Sequence, residues 1–199
     1  MMIEKTTMID KKNIMLIIMV IMIACNLRAP VTCVGALVND IQASLGLSPE
    51  AAGSITTIPL LTFAAVSPAA VFLSERIGAG KTLAAGFAVM CIGIAMRSYG
   101  GIFGMFAGTV VIGGAIGLGN VMLPAIIKSR FPDRIESLTS LYTMIMQIVS
   151  AVGTAVSVPI AAAAGWNESI FIWILPAFLA MLLCVTNRHI KVTMPVSKE

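Results

Sequence analysis

The chain has 199 residues, 58% hydrophobic and 11% charged, with thirteen Lys and Arg against nine Asp and Glu and a formal net charge of +4. A soluble globular domain carries roughly 25% charged residues, which excludes a water-soluble enzyme and a nucleic-acid-binding module. The apolar residues gather in six runs of the length that crosses a bilayer, about 20 residues each, so the expected class is an all-α integral membrane protein with six transmembrane helices.

A short polar tail, 1–12, leads into the first predicted helix at 13–39. Lys11-Lys12, the following apolar run and Ala24-Cys25 faintly resemble a cleaved signal or lipoprotein site. The apolar character continues past Cys25 and five more runs follow, so a spanning helix is the better reading. Within it Arg28, Thr32, Gly35 and Asn39 recur at helical spacing and share one face. A cation at the bilayer centre costs about 2.5–3.5 kcal/mol on insertion scales and therefore faces a protein interior or a water-filled cavity. Arg28 is thus the first candidate partner for a polar or anionic solute, and Pro30, two residues on, is a candidate hinge because it removes a helix hydrogen bond.

The second helix is predicted at 49–73 and the third at 82–98, joined by Glu75-Arg76-Ile77-Gly78-Ala79-Gly80-Lys81-Thr82. That segment ends like a phosphate-binding loop, but Glu75 stands where the first glycine belongs and no strand precedes it. The fourth helix, 102–127, carries the small-xxx-small pairs Gly104/Gly108 and Gly113/Gly117, which suit close helix packing. It also carries Asn120 and a second candidate hinge, Pro124. On the fifth helix, 137–164, Ser140, Thr143, Gln147, Ser150, Thr154 and Ser157 form a polar stripe on an otherwise apolar rod. Its hydroxyls, like the glycines, suit helix packing at least as well as solute contact, whereas Asn120 and Gln147 are better read as solute contacts. The sixth helix is expected at 169–186, before a tail over 187–199. Tyr99 and Trp166 sit at helix ends as interfacial anchors.

Six spans return the chain to its starting side. Eleven of the thirteen cations fall on that side, Arg28 lies within its span and Arg97 falls on the other side, where the loops carry Asp40, Glu50 and Glu168. The positive-inside rule then predicts cytoplasmic termini in a bacterial inner membrane. A single histidine, His189, and four cysteines without metal-ligand spacing imply no metal site, no cofactor and no enzyme chemistry.

The acid-Arg-x-Gly pattern and later Lys of the 75–82 loop resemble the signature loop of the major facilitator superfamily. The family places Asp where this chain has Glu75 and crowds its basic residues closer than Lys81. Asn26-Leu27-Arg28-Ala29-Pro30, Ser54-Ile55-Thr56-Thr57-Ile58-Pro59, Asn120-Val121-Met122-Leu123-Pro124, Lys128-Ser129-Arg130-Phe131-Pro132, Leu138-Thr139-Ser140-Leu141-Tyr142-Thr143 and Gly165-Trp166 together resemble its cyanate and 2-nitroimidazole permease branch. The resemblance implies secondary transport of a small polar or anionic organic solute by alternating access, with the first and fourth helices of each half lining a central cavity. Arg28, Asn26, Thr32, Asn120, Gln147 and Tyr142 are then expected solute contacts, and Glu75, Arg76, Gly78 and Lys81 a gating loop.

Family members carry two six-helix halves, and this chain resembles the amino-terminal one. Three expectations follow: an inactive truncated half, pairing with a separate carboxy-terminal half, or a homodimer that presents one Arg28 from each copy. The lipid bilayer and a small solute are the other expected partners. A competing function is a channel or a non-transporting membrane scaffold in which Arg28 pairs only with a carbonyl or with Asp40.

Overall fold

The computed structural model describes residues 11–187. The expected tails, 1–12 and 187–199, fall almost wholly outside that range, as do Lys5, Arg188, His189, Lys191 and Lys198. The described chain is helical nearly throughout: α1 Lys11–Ala36, α2 Val38–Leu45, α3 Pro49–Ile77, α4 Ala79–Tyr99, α5 Gly101–Arg130, α6 Ile135–Ala164, α7 Trp166–Phe171 and α8 Ile174–Thr186. Six spans are long and apolar enough to cross a membrane, the sixth formed by α7 and α8 together. Helices are what a bilayer allows, because each backbone N–H must find its carbonyl within the segment.

Two boundaries correct the sequence reading. The first span ends at Ala36, and Leu37 turns the chain into the separate α2, so Asn39 leaves the helix that carries Arg28, Thr32 and Gly35. The sixth span starts earlier than expected, at Trp166, and is interrupted between Phe171 and Ile174. Between α3 and α4 the link is the single residue Gly78 at φ 91° and ψ 144°. That left-handed φ is open to glycine and strained for other residues, which accounts for the glycine of the 75–82 loop.

The starts of helices follow local chemistry where they meet water. Ser48 accepts a hydrogen bond from the Ala51 N–H at 3.3 Å, with Pro49 and Glu50 in the first turn of α3. This is a standard N-cap followed by a pre-set φ and a favourable charge.

Packing divides the helices into a centre and two flanks. α1 packs on α6 and α8, α4 on α5 and α8, and α3 on α5. The main apolar core, including Met19, Ile23, Met90, Ile112 and Met122, lies among α1, α4, α5 and α8. A smaller cluster of Val34, Leu37, Ile41, Ile55, Met105 and Ile170 closes the end opposite the termini. α3 and α6 are the least covered spans, with Leu60 and Leu61 64% and 66% exposed.

Glycine sets the distance between the central helices. A Cβ on Gly108 would lie 2.5 Å from the Gly93 carbonyl and 2.7 Å from the Arg97 nitrogen, so α4 and α5 touch backbone to backbone. One on Gly113 would lie 2.8 Å from Pro59 Cα, seating α3 equally closely. Both small-xxx-small pairs of α5 therefore serve packing.

Candidate functional site

α1, α3, α5 and α6 enclose a cavity of about 330 Å³ that opens to one side of the bundle. Its polar lining is Arg28 and Thr32 from α1 and Asn120 from α5; Pro59, Phe63 and Met146 supply apolar wall. Helical periodicity explains the α1 contribution, because Leu27, Arg28, Val31 and Thr32 fall at steps that share a face. Arg28 is exposed in the bundle, while its sequence neighbours Leu27 and Ala29 are buried.

Thr32 and Asn120 are held from behind. Thr32 Oγ1 lies 3.3 Å from the Ala29 carbonyl oxygen and accepts a hydrogen bond from Ser150 Oγ at 2.9 Å, which ties α1 to α6. Asn120 Nδ2 donates to the Ile116 carbonyl at 3.0 Å within its own helix. The cavity thus offers a cation, a hydroxyl and an amide beside apolar surface, a mixture suited to a small polar or anionic solute.

The other expected solute contacts do not join this lining. Asn26 is fully buried and faces the other way: its Nδ2 donates to Met22 O at 2.8 Å and to Pro176 O at 3.0 Å, binding α1 to α8. Two residues correspond to about 200° around a helix, so Asn26 and Arg28 point in opposite directions. Tyr142 is half-buried against the main core. Gln147 is exposed on α6 and stands one residue beyond the lining Met146.

Much of the polar stripe on α6 folds back on its own helix. Thr143, Thr154 and Ser157 donate to the carbonyls of Thr139, Ser150 and Gly153 at 2.7, 2.8 and 2.6 Å. Ser150 and Ser157 are buried, and Ser169 Oγ reaches the Ser157 carbonyl at 2.8 Å to hold α7 on α6. This part of the stripe is helix packing.

In the expected gating loop, Glu75 and Arg76 end α3, and Lys81 lies in the first turn of α4; all three are exposed. Arg76 sets its guanidinium 4.3 Å above the Phe72 ring, one turn back on α3. Neither candidate hinge interrupts its helix, since α1 runs through Pro30 and α5 through Pro124. Pro30 is buried and Pro124 exposed.

One residue escaped the sequence reading. Arg97, placed by the charge pattern on the side opposite the termini, is 1% exposed and is a fully buried cation within the bundle. Its Nη2 donates to the Pro30 carbonyl at 2.9 Å, and its Nε has no hydrogen-bond partner among the described residues. The available signal was the run of small residues, Gly93 and Gly108 among them, that brings α5 over the Arg97 backbone. Tyr99 anchors the same end, donating to Glu168 Oε1 at 2.7 Å and meeting Phe171 edge to face at 5.2 Å.

A second hollow of about 360 Å³ lies between α6 and the α7–α8 span, lined by residues such as Val152, Trp173 and Pro176. Its wall is almost wholly apolar and holds none of the expected solute contacts. The Arg28 cavity is therefore the candidate site.

Comparison with known proteins agrees with this architecture. Residues 10–197 match the Major Facilitator Superfamily. The chain is 41% identical over 173 residues to the uncharacterized transporter YycB of Bacillus subtilis (strain 168), covering 85% of this chain and 43% of that protein. It is 38% identical over 179 residues to the 2-nitroimidazole transporter of Escherichia coli (strain K12), covering 89% and 46%. It is 23% identical over 190 residues to the cyanate transport protein CynX of the same strain, covering 91% and 50%. The chain thus spans half or less of the length of these relatives. Among solved structures, the proton:xylose symporter XylE bound to 6-bromo-6-deoxy-D-glucose superposes with a TM-score of 0.78 at 15% identity, over 87% of this chain and 44% of that one. A six-span helical bundle, an open polar cavity and a match over nearly the whole chain make this protein a member of the major facilitator superfamily of membrane transporters.

Proposed function

We propose that this chain forms the amino-terminal six-helix half of a secondary transporter for a small polar or anionic organic solute, such as cyanate or a nitroimidazole-like compound. It acts by alternating access in a bacterial inner membrane with both termini cytoplasmic. The observation that carries this reading is Arg28, exposed in a cavity of about 330 Å³ that it shares with Thr32 and Asn120. A charge at membrane depth is costly unless it meets water or a partner, and an anionic solute would be that partner. Asn120 would add a hydrogen bond to the bound solute, and Gln147 would approach from α6.

The weakly covered α3 and α6 flank the open side of this cavity. A second six-helix bundle docked there, either a separate carboxy-terminal half or a second copy of this chain, would close the cavity and give it two alternating exits. Glu75, Arg76, Gly78 and Lys81 would form the cytoplasmic gate, and Pro30 and Pro124 would bend as it moves.

The test is uptake of labelled cyanate and 2-nitroimidazole into proteoliposomes carrying the protein. Saturable uptake of either compound, lost in Arg28→Gln at equal membrane abundance, is the expected result. Uptake that survives Arg28→Gln would make Arg28 structural, and failure of the wild type to take up either would favour a non-transporting scaffold or an inactive fragment that needs a partner half.

A further inference from the structure

We propose that Arg97 is a second cationic determinant of the cavity, acting through α1 from behind to favour a compact monovalent anion over its neutral isostere. Arg97 reaches the far side of α1 at the Pro30 carbonyl. Residues on either side of Pro30, Arg28 and Val31, line the cavity. The guanidinium is therefore separated from the cavity by about the width of one helix, roughly 10 Å.

Three observations make the charge effective at that range. Arginine stays protonated in proteins. Arg97 is 1% exposed, so water does not screen it. Its Nη2 donates to a neutral carbonyl, while Nε lacks a partner among the described residues, so those contacts do not neutralise the charge. At an effective dielectric constant near 20, a unit charge roughly 10 Å away changes the occupancy of a monovalent ion by about tenfold. Arg97 never touches the solute. It is built in by α5, where Gly108 leaves only backbone against the Arg97 nitrogen and Cβ.

The proposal rests on the reading of this cavity as the solute site, yet its test needs no transport. Leu60, exposed on the α3 wall of the cavity, is changed to Cys as a reporter, and exposed Ser129, twenty-one residues along α5 from the Gly108 that meets Arg97 and so roughly 30 Å away, is changed to Cys as a remote control, each read against the protein with only its four native cysteines. The ratio of reaction rates with an anionic and a cationic methanethiosulfonate then reads the local potential. Arg97→Met is expected to lower the anion-to-cation ratio at Leu60→Cys by about tenfold or more, with Arg97→Lys holding it near the wild-type value and the Ser129→Cys ratio unchanged. If Arg97→Met fails to fold, the same ratio is followed in Arg97→Lys as pH rises. Loss of the lysine charge should lower it there and not in the arginine protein. A ratio indifferent to the charge at position 97 would overturn the proposal and leave Arg97 a strut for α1. A changed ratio in a protein that takes up neither cyanate nor 2-nitroimidazole would sustain this electrostatic role while the transport reading failed.

Discussion

The seam between α4 and α5 and the cavity shared by α1, α3, α5 and α6 solve opposite problems with different residues. At the seam, small residues remove side chains until backbones meet: Gly108 faces the Gly93 carbonyl, and the buried Arg97 is enclosed. At the cavity face Arg28, Thr32 and Asn120 surround an opening of about 330 Å³. Lipid tails are as apolar as leucine side chains, so helices in a membrane associate through close packing and hydrogen bonds. The seam uses the first means fully, which leaves polar side chains free to line space elsewhere. One bundle thus carries a close-packed side and an open side.

Substitutions at the seam should have the largest effect. Gly108→Val would drive a branched side chain into the Gly93 carbonyl and the Arg97 backbone; we expect a loss of about 3 kcal/mol or more, read as a drop in thermal stability in detergent. If Gly108→Val were as stable as the wild type, the backbone contact would not govern the bundle. Asn26→Ala comes next. It removes the bond to the Pro176 carbonyl that holds α1 to α8, together with the bond to Met22 within α1, and should cost about 1–2 kcal/mol while leaving the affinity of the Arg28 cavity within about twofold. A selective loss of cyanate or 2-nitroimidazole binding without loss of stability would instead put Asn26 at the site. Smallest is Ser150→Ala, which frees Thr32 from α6 at a cost of about 0.6 kcal/mol and should loosen the cavity wall with little change in unfolding.

Both halves of the contrast were partly legible in the sequence. The six runs, the small-xxx-small pairs of α5 and the shared face of Arg28 and Thr32 follow from length and helical period, which survive any tertiary arrangement. Asn26 was misplaced because its motif indicates that it matters and not which way it faces; two residues from Arg28, it must point elsewhere. Arg97 was misread because proximity to a helix end normally lets a long cation reach the interface. Here the Pro30 carbonyl lies within reach and α5 covers the alternative route. The break at 172–173 and the turn at Leu37 follow from packing at the end opposite the termini, where Leu37 and Ile170 are buried in one cluster. No local sequence rule contains that contact.

The hydroxyls of α6 carry a chemical polarity of their own. Because Thr143 and Thr154 give their hydrogens to carbonyls of the same helix, what they present outward is lone pairs. Such a face costs little against lipid or another helix, since no donor is left unanswered. To a neighbouring surface these two hydroxyls are acceptor-only ground: a helix packed against them meets oxygens that need nothing from it, and it can come close without bringing an acceptor of its own.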